Sequence, residues 1–186
     1  MNVKPEKKNL VFLAGFMGSG KSTIGPILAN ALGWEFIDID KDIEQKANRK
    51  IVDIFASGGE KSFRIFESEA LRDLLLRNEC VVSLGGGTLA TDENFELIRQ
   101  NGIIVYLQLS PDKIVQRVRH KIDRPMLKDS AGNPLQGDEL QKRIDELLAS
   151  REAYYSKADI IIPADSLKVG TTVEAIVKRL RGMLPA

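Results

Sequence analysis

Residues 15 to 22 have the types and spacing of a phosphate cradle. Gly15-Phe16-Met17-Gly18-Ser19-Gly20-Lys21-Ser22 satisfies G-x-x-x-x-G-K-[ST] at every position. Glycines at 15, 18 and 20 let the backbone curl until its N–H groups converge on an anion. An apolar run precedes the motif and a helical pattern follows it, so a helix N-terminus faces the same anion. On this reading Gly18, Ser19, Gly20, Lys21, Ser22 and Thr23 bind nucleotide phosphates. Lys21 reaches the β- and γ-phosphates, Ser22 holds Mg²⁺ through its hydroxyl, and Thr23 is the weaker magnesium choice. The motif does not separate a kinase from a GTPase or a motor ATPase.

A second set of oxygens follows. Glu35-Phe36-Ile37-Asp38-Ile39-Asp40 ends an apolar strand on two aspartates. If the strand continues, positions 38 and 40 face the same side. One carboxylate can then support a magnesium shell, while the other orients or deprotonates an attacking hydroxyl. The plainer alternative makes Asp40 the N-cap of the next helix. Ser83-Leu84-Gly85-Gly86-Gly87-Thr88 places three glycines after another apolar run, which suits either close backbone approach to a ligand or a tight turn. Arg64 with Glu67, Arg124 and Arg151 stand singly in the sequence and read equally well as surface residues. His120 is the only histidine, which excludes a multi-histidine metal site.

The elements that must position these groups are legible as alternating patterns. Apolar runs at Leu10–Ala14, Glu35–Ile39, Val81–Leu84, Ile103–Leu109 and Ile160–Pro163 read as strands, most of them buried on both faces. Helical patterns cover Lys21–Leu32, Asp40–Asn48, Glu60–Arg77, Asp92–Gln100, Pro111–Val118, Asp138–Tyr155 and Thr171–Met183, with Gly33 stopping the first. Strands alternating with helices predict an α/β fold with right-handed crossovers and a mostly parallel sheet. His120–Gly137 breaks the rhythm with two prolines and two glycines, and reads as a lid rather than a passive loop.

Composition narrows the class further. A chain of 186 residues with 43% hydrophobic residues suits a single domain. Lys+Arg 27 against Asp+Glu 26 argues against a general nucleic-acid or membrane-surface binder. Cys80 is the only cysteine and sits in an apolar run, as a small buried hydrophobe would. The polar start and the lack of a long apolar run point to a cytoplasmic protein.

Taken in order, the segments GFMGSGKST, FIDID, IFASGGEKSFRIFE, SLGGGT, DRPML and SREAYY make the chain resemble the shikimate kinase family over about residues 9–184. The resemblance implies a three-layer α/β/α domain with a five-stranded parallel sheet, like the nucleoside monophosphate kinases. Within it fall a phosphate loop at 15–23, a substrate-binding segment at about 40–67 and a lid at about 119–137. It implies ATP and shikimate as substrates, Mg²⁺ as cofactor, and a monomer with no nucleic-acid or membrane partner. Asp40 becomes the residue that holds the shikimate hydroxyls and serves as base, and Asp38 the magnesium-shell carboxylate beside Ser22. Arg64 and Arg151 become the pair that binds the shikimate carboxylate, and Gly85, Gly86 and Gly87 the backbone wall beside it, Gly86 being the first choice for a direct contact. Lys21 and Arg124 become catalytic cations on the phosphates, and Arg117 the residue that packs on adenine. The stretch Leu127 to Gly137 is longer than in compact members of the family, which leaves the lid geometry open.

Two other classes compete. A gluconate-type kinase would share the phosphate loop but lack the SFR, GGG and SRE set. A nucleotide-binding switch without catalysis would have lost Asp40 or the arginines, and all are present.

Overall fold

The computed structural model describes residues 9–119, 125–129, 131–165 and 168–184. Its strands are β1 (Leu10–Ala14), β2 (Glu35–Asp38), β3 (Cys80–Ser83), β4 (Ile103–Gln108) and β5 (Ile160–Pro163). They form one parallel sheet in the order β2-β3-β1-β4-β5. The helices are α1 (Lys21–Leu32), α2 (Ile39–Ala47), α3 (Ile51–Leu74), α4 (Asp92–Asn101), α5 (Pro111–Val118), α6 (Gly137–Tyr155) and α7 (Val169–Leu180).

Strand alternation explains why the sheet is apolar on both faces. Leu10, Phe12, Ala14, Cys80, Val82, Ile104 and Tyr106 form one core with residues of α2, α3, α4 and the end of α6. Val11, Leu13, Val81, Val105 and Leu107 form the other with α1 and α7. Each such fully buried Leu, Ile or Phe contributes about 1.5–3 kcal/mol relative to exposure, before cavity effects. A third cluster ties Phe16 of the phosphate loop to Ile114 and Val118 of α5, Leu127, and Leu140, Ile144 and Leu147 of α6. β1 lies between β3 and β4, because the chain builds β2 and β3 on one side of it and then crosses to the other side for β4 and β5. That reversal opens a crevice at the carboxyl ends of the strands, where ligands of open α/β sheets bind.

Four local features differ from the sequence reading. β2 stops at Asp38, and α2 begins at Ile39. Asp40 is therefore placed by a helical turn and not by strand alternation. The cap of α2 is Asp38, whose side chain accepts from the Asp40 N–H at 3.1 Å, so Asp40 is not the cap. The third helix starts at Ile51, nine residues before the expected start at Glu60. It continues through a kink at Gly59 (φ 64), a backbone conformation that suits glycine. That kink lets Phe55 and Phe63 meet at 5.0 Å between ring centroids. The described residues between 125 and 135 also hold more structure than their sequence suggested. Pro125–Leu127 forms a 3₁₀ turn, and Lys128 and Pro134 form an antiparallel bridge.

Other boundaries fall within a few residues of expectation, and Gly33 ends α1 at φ 72. Cys80 is buried, and desolvation pushes its thiol up to about 11. Among the described residues no helix is long and apolar enough to cross a membrane.

Candidate active site

The phosphate loop links β1 to α1, and its shape follows from three positive-φ glycines, Gly15, Gly18 and Gly20. Gly20 is the N-cap of α1 and has no side chain to cap it, so the positive end of the helix dipole faces the loop. Lys21 is nearly buried, and its ammonium donates to the carbonyls of Gly15 at 2.7 Å and Phe16 at 3.2 Å. Arg117 of α5 donates to the Gly18 carbonyl at 3.0 Å, which ties α5 to the loop. Ser22 donates to Asp38 at 3.3 Å, so the two expected metal-side oxygens are neighbours. Gly18, Gly20, Lys21, Ser22, Thr23, Asp38, Asp40 and Arg117 all line one cavity of about 330 Å³. Ser19 is the exception, being buried with its hydroxyl turned inward toward Gly15.

A second cavity opens beside the first. Asp40, Arg64, Gly85, Gly86, Gly87 and Arg151 line it, with apolar walls from Ile51, Phe55, Phe63, Pro125 and Met126. Met17, Asp40 and Gly86 belong to both cavities. A donor phosphate in one cavity and an acceptor in the other would thus meet at a carboxylate. Arg124 lies outside the described residues, as do Lys121 and His120.

The two arginines are held differently. Arg64 donates to Glu67 at 2.6 Å and to Glu60 at 2.7 Å, both from α3. Burial draws its proton affinity down, but the charges of Glu67 and Glu60 outweigh that and raise it. The i,i+3 pair with Glu67 is no surface contact, because Glu67 is buried with both oxygens occupied. Thr88 donates to its other oxygen, and Asn94 of α4 in turn donates to the Thr88 carbonyl at 2.9 Å.

Arg151 of α6 is only 4% exposed, stacks over the Phe16 ring at 5.1 Å, and has no acidic partner within ion-pair reach among the described residues. Burial lowers its proton affinity; the neighbouring Tyr155 opposes this, and the positive charge of Arg64 adds to it. Two guanidinium groups on one apolar-walled cavity, one of them desolvated without an ion pair among the described residues, are set to receive an anion. A planar carboxylate suits such forks better than it suits lysines.

Several residues of this arrangement were missed in the sequence. Glu67 was visible only as a helical neighbour of Arg64. Thr88, Asn94 and Tyr155 gave no signal, because their partners are far away in the chain. Tyr155 donates to the Gly86 carbonyl at 2.7 Å across 69 residues of sequence.

Comparison with known proteins agrees with the geometry. The shikimate kinase family model matches residues 17–181. The shikimate kinase of Chlorobaculum parvum is 50% identical over 172 residues, covering 92% of each chain. The solved structure of shikimate kinase from Acinetobacter baumannii in complex with shikimate superposes with a TM-score of 0.86 at 31% identity, covering 97% of both chains. A gluconokinase from Sinorhizobium meliloti, at 16% identity and a TM-score of 0.59, shares the fold alone. The chain belongs to the shikimate kinase family.

Proposed function

We propose that the chain transfers the γ-phosphoryl group of ATP to the 3-hydroxyl of shikimate, giving ADP and shikimate 3-phosphate in aromatic amino-acid biosynthesis. The observation that carries this reading is the shared lining of the two cavities. Asp40 stands where a nucleotide held by the phosphate loop and an acid held by Arg64 and Arg151 would meet. Shikimate supplies what the second cavity asks for: one carboxylate for two guanidinium groups, hydroxyls for Asp40, and a ring for the Phe55 and Phe63 wall.

The reaction then runs by positioning. Arg64 and Arg151 anchor the carboxylate at one end, with Gly85, Gly86 and Gly87 as the backbone wall and Gly86 the direct contact. Asp40 accepts a hydrogen bond from the 3-hydroxyl and turns its oxygen toward the γ-phosphorus. The oxygen–phosphorus bond forms as the bond to the β–γ bridging oxygen breaks. ADP leaves with that electron pair, and the hydroxyl proton passes to the Asp40 carboxylate. Lys21 exchanges its loop carbonyls for the β- and γ-phosphate oxygens, together with the N–H groups of Gly18 through Thr23. Arg124 closes on the same phosphates as part of a lid at about 119–137, and Arg117 packs on the adenine.

Ser22 and Asp38 would hold Mg²⁺. Their adjacent hard oxygens fit that ion, which binds through one or two protein oxygens plus phosphate oxygens. Bound there, magnesium would offset phosphate charge. The active unit is a single-domain cytoplasmic monomer with no nucleic-acid or membrane partner.

A coupled assay of ADP release tests the proposal. Release should depend on shikimate and be absent with gluconate or without an acceptor. ADP release indifferent to shikimate refutes it.

A further inference from the structure

Arg151 poses a question that Arg64 does not. Two glutamates fix the aim of Arg64, whereas Arg151 has a buried Nη1 without any hydrogen-bond partner. That nitrogen lies 3.3 Å from where a side chain on Gly86 would begin, so it faces the acceptor cavity. A long, desolvated cation with no ion-pair partner among the described residues, and only the more distant charge of Glu60 to balance it, needs another constraint to hold one rotamer. Phe16 supplies a flat surface beneath it.

Tyr155 supplies the rest. It follows Arg151 by four residues on α6 and so shares its helix face. Its ring is 1% exposed and stacked on Tyr106 at 4.6 Å, which fixes the hydroxyl in place. A tyrosine hydroxyl has one proton to give. The Gly86 carbonyl can only accept, so it takes that proton at 2.7 Å. Both side chains converge on Gly86, so the remaining lone pairs are available to the Arg151 guanidinium, which can only donate. Burial keeps the hydroxyl protonated, pushing it up to about 12, so this polarity persists at ordinary pH. A carboxylate in the same place would neutralise Arg151 and compete with an incoming acid, whereas a hydroxyl orients the guanidinium and leaves its charge available.

We propose that Tyr155 is a positioning residue for the acceptor, holding the Arg151 fork and the Gly86 backbone in one fixed relation before the acid arrives. The inference rests on the reading of Arg151 as a carboxylate ligand. Tyr155→Phe keeps the ring stack and removes only the hydroxyl. It should raise the KM for shikimate about tenfold, the scale of one hydrogen bond to a charged group, with kcat less affected and the KM for ATP unmoved. Tyr154→Phe, which removes the neighbouring hydroxyl bonded to Asp92, should leave both KM values unchanged.

The second readout is a double-mutant cycle with Arg151→Lys. Shikimate affinity is measured by calorimetry at a temperature where all four proteins are folded. Arg151→Lys alone should weaken binding, and Tyr155→Phe should add little in that background. If Arg151→Lys weakens binding but Tyr155→Phe does not, or if the two losses simply add, the inference fails and the Arg151 reading stands. If Arg151→Lys leaves shikimate affinity intact, both fail.

Discussion

Gly87→Ala is a small change with a calculable effect on one cavity only. Gly87 has no positive φ, so the backbone accepts alanine. The new methyl would lie 2.5 Å from Nη2, 2.9 Å from Nη1 and 3.1 Å from Cζ of Arg64. Unstrained carbon contacts begin near 3.5 Å, so the guanidinium must retreat by about 1 Å. It can do so because it is the partly exposed end of a flexible side chain, but the retreat stretches its bonds to Glu60 and the buried Glu67, so the melting temperature should fall. Its aim toward the acceptor carboxylate is lost as well. A hydrogen bond to a charged group contributes about 1.5–3 kcal/mol, so kcat/KM for shikimate should fall by about one to two powers of ten. The KM for ATP should hold, since Gly87 lies outside the phosphate-loop cavity. Initial rates with each substrate varied separately, together with a thermal melt, decide the matter. An unchanged shikimate KM would show that Arg64 does not grip the acid. Equal changes in both KM values would show that the strain spreads to the phosphate loop.

The remaining predictions address other parts of the machine. Asp40→Asn should lower kcat by about 10²–10⁴-fold with ATP affinity nearly unchanged, and single-turnover rates near the parent's would refute a role in proton transfer or hydroxyl orientation. Arg124→Ala should lower kcat far more than it weakens shikimate binding, as for a cation acting on the transferring phosphoryl group; a loss confined to shikimate affinity contradicts this. Cys80 should resist a thiol reagent at pH 8, because the folded state holds its proton up to about 11. Its pKa is raised in the fold, so the stability it contributes is present below the ordinary value of 9.0 and is lost as pH rises toward about 11. Rapid labelling of the native protein would show that the β3 edge of the core is open.

Much of this site is local in sequence, and that part was readable. The phosphate loop is contiguous, and its strand–loop–helix setting follows from hydrophobic period and glycine placement. The inner strands are legible because both faces of the sheet are buried there, which makes each an apolar run, whereas the edge strand β2 is half-exposed. The arginines were findable only through family resemblance, since nothing local distinguishes Arg151 from a surface residue on a helix. Its burial depends on Phe16 and Tyr155, whose apposition is a product of the fold. Asp38 and Asp40 line one cavity, but not by strand alternation. Their common cavity arises from a strand-to-helix junction, where Asp38 caps the helix that carries Asp40. The helix expected over Glu60–Arg77 begins instead at Ile51 and kinks at Gly59, and Phe55 and Phe63 pack together across the kink.

The most direct test of the central claim is the identity of the product. Purified protein, ATP, Mg²⁺ and shikimate should yield ADP and a single phosphomonoester in equal amounts, followed by ³¹P NMR, with the phosphorus coupled to the proton on carbon 3 of the ring. ADP accompanied by free inorganic phosphate, or a phosphoester on another hydroxyl, would contradict the placement of the acceptor between Asp40 and the two arginines.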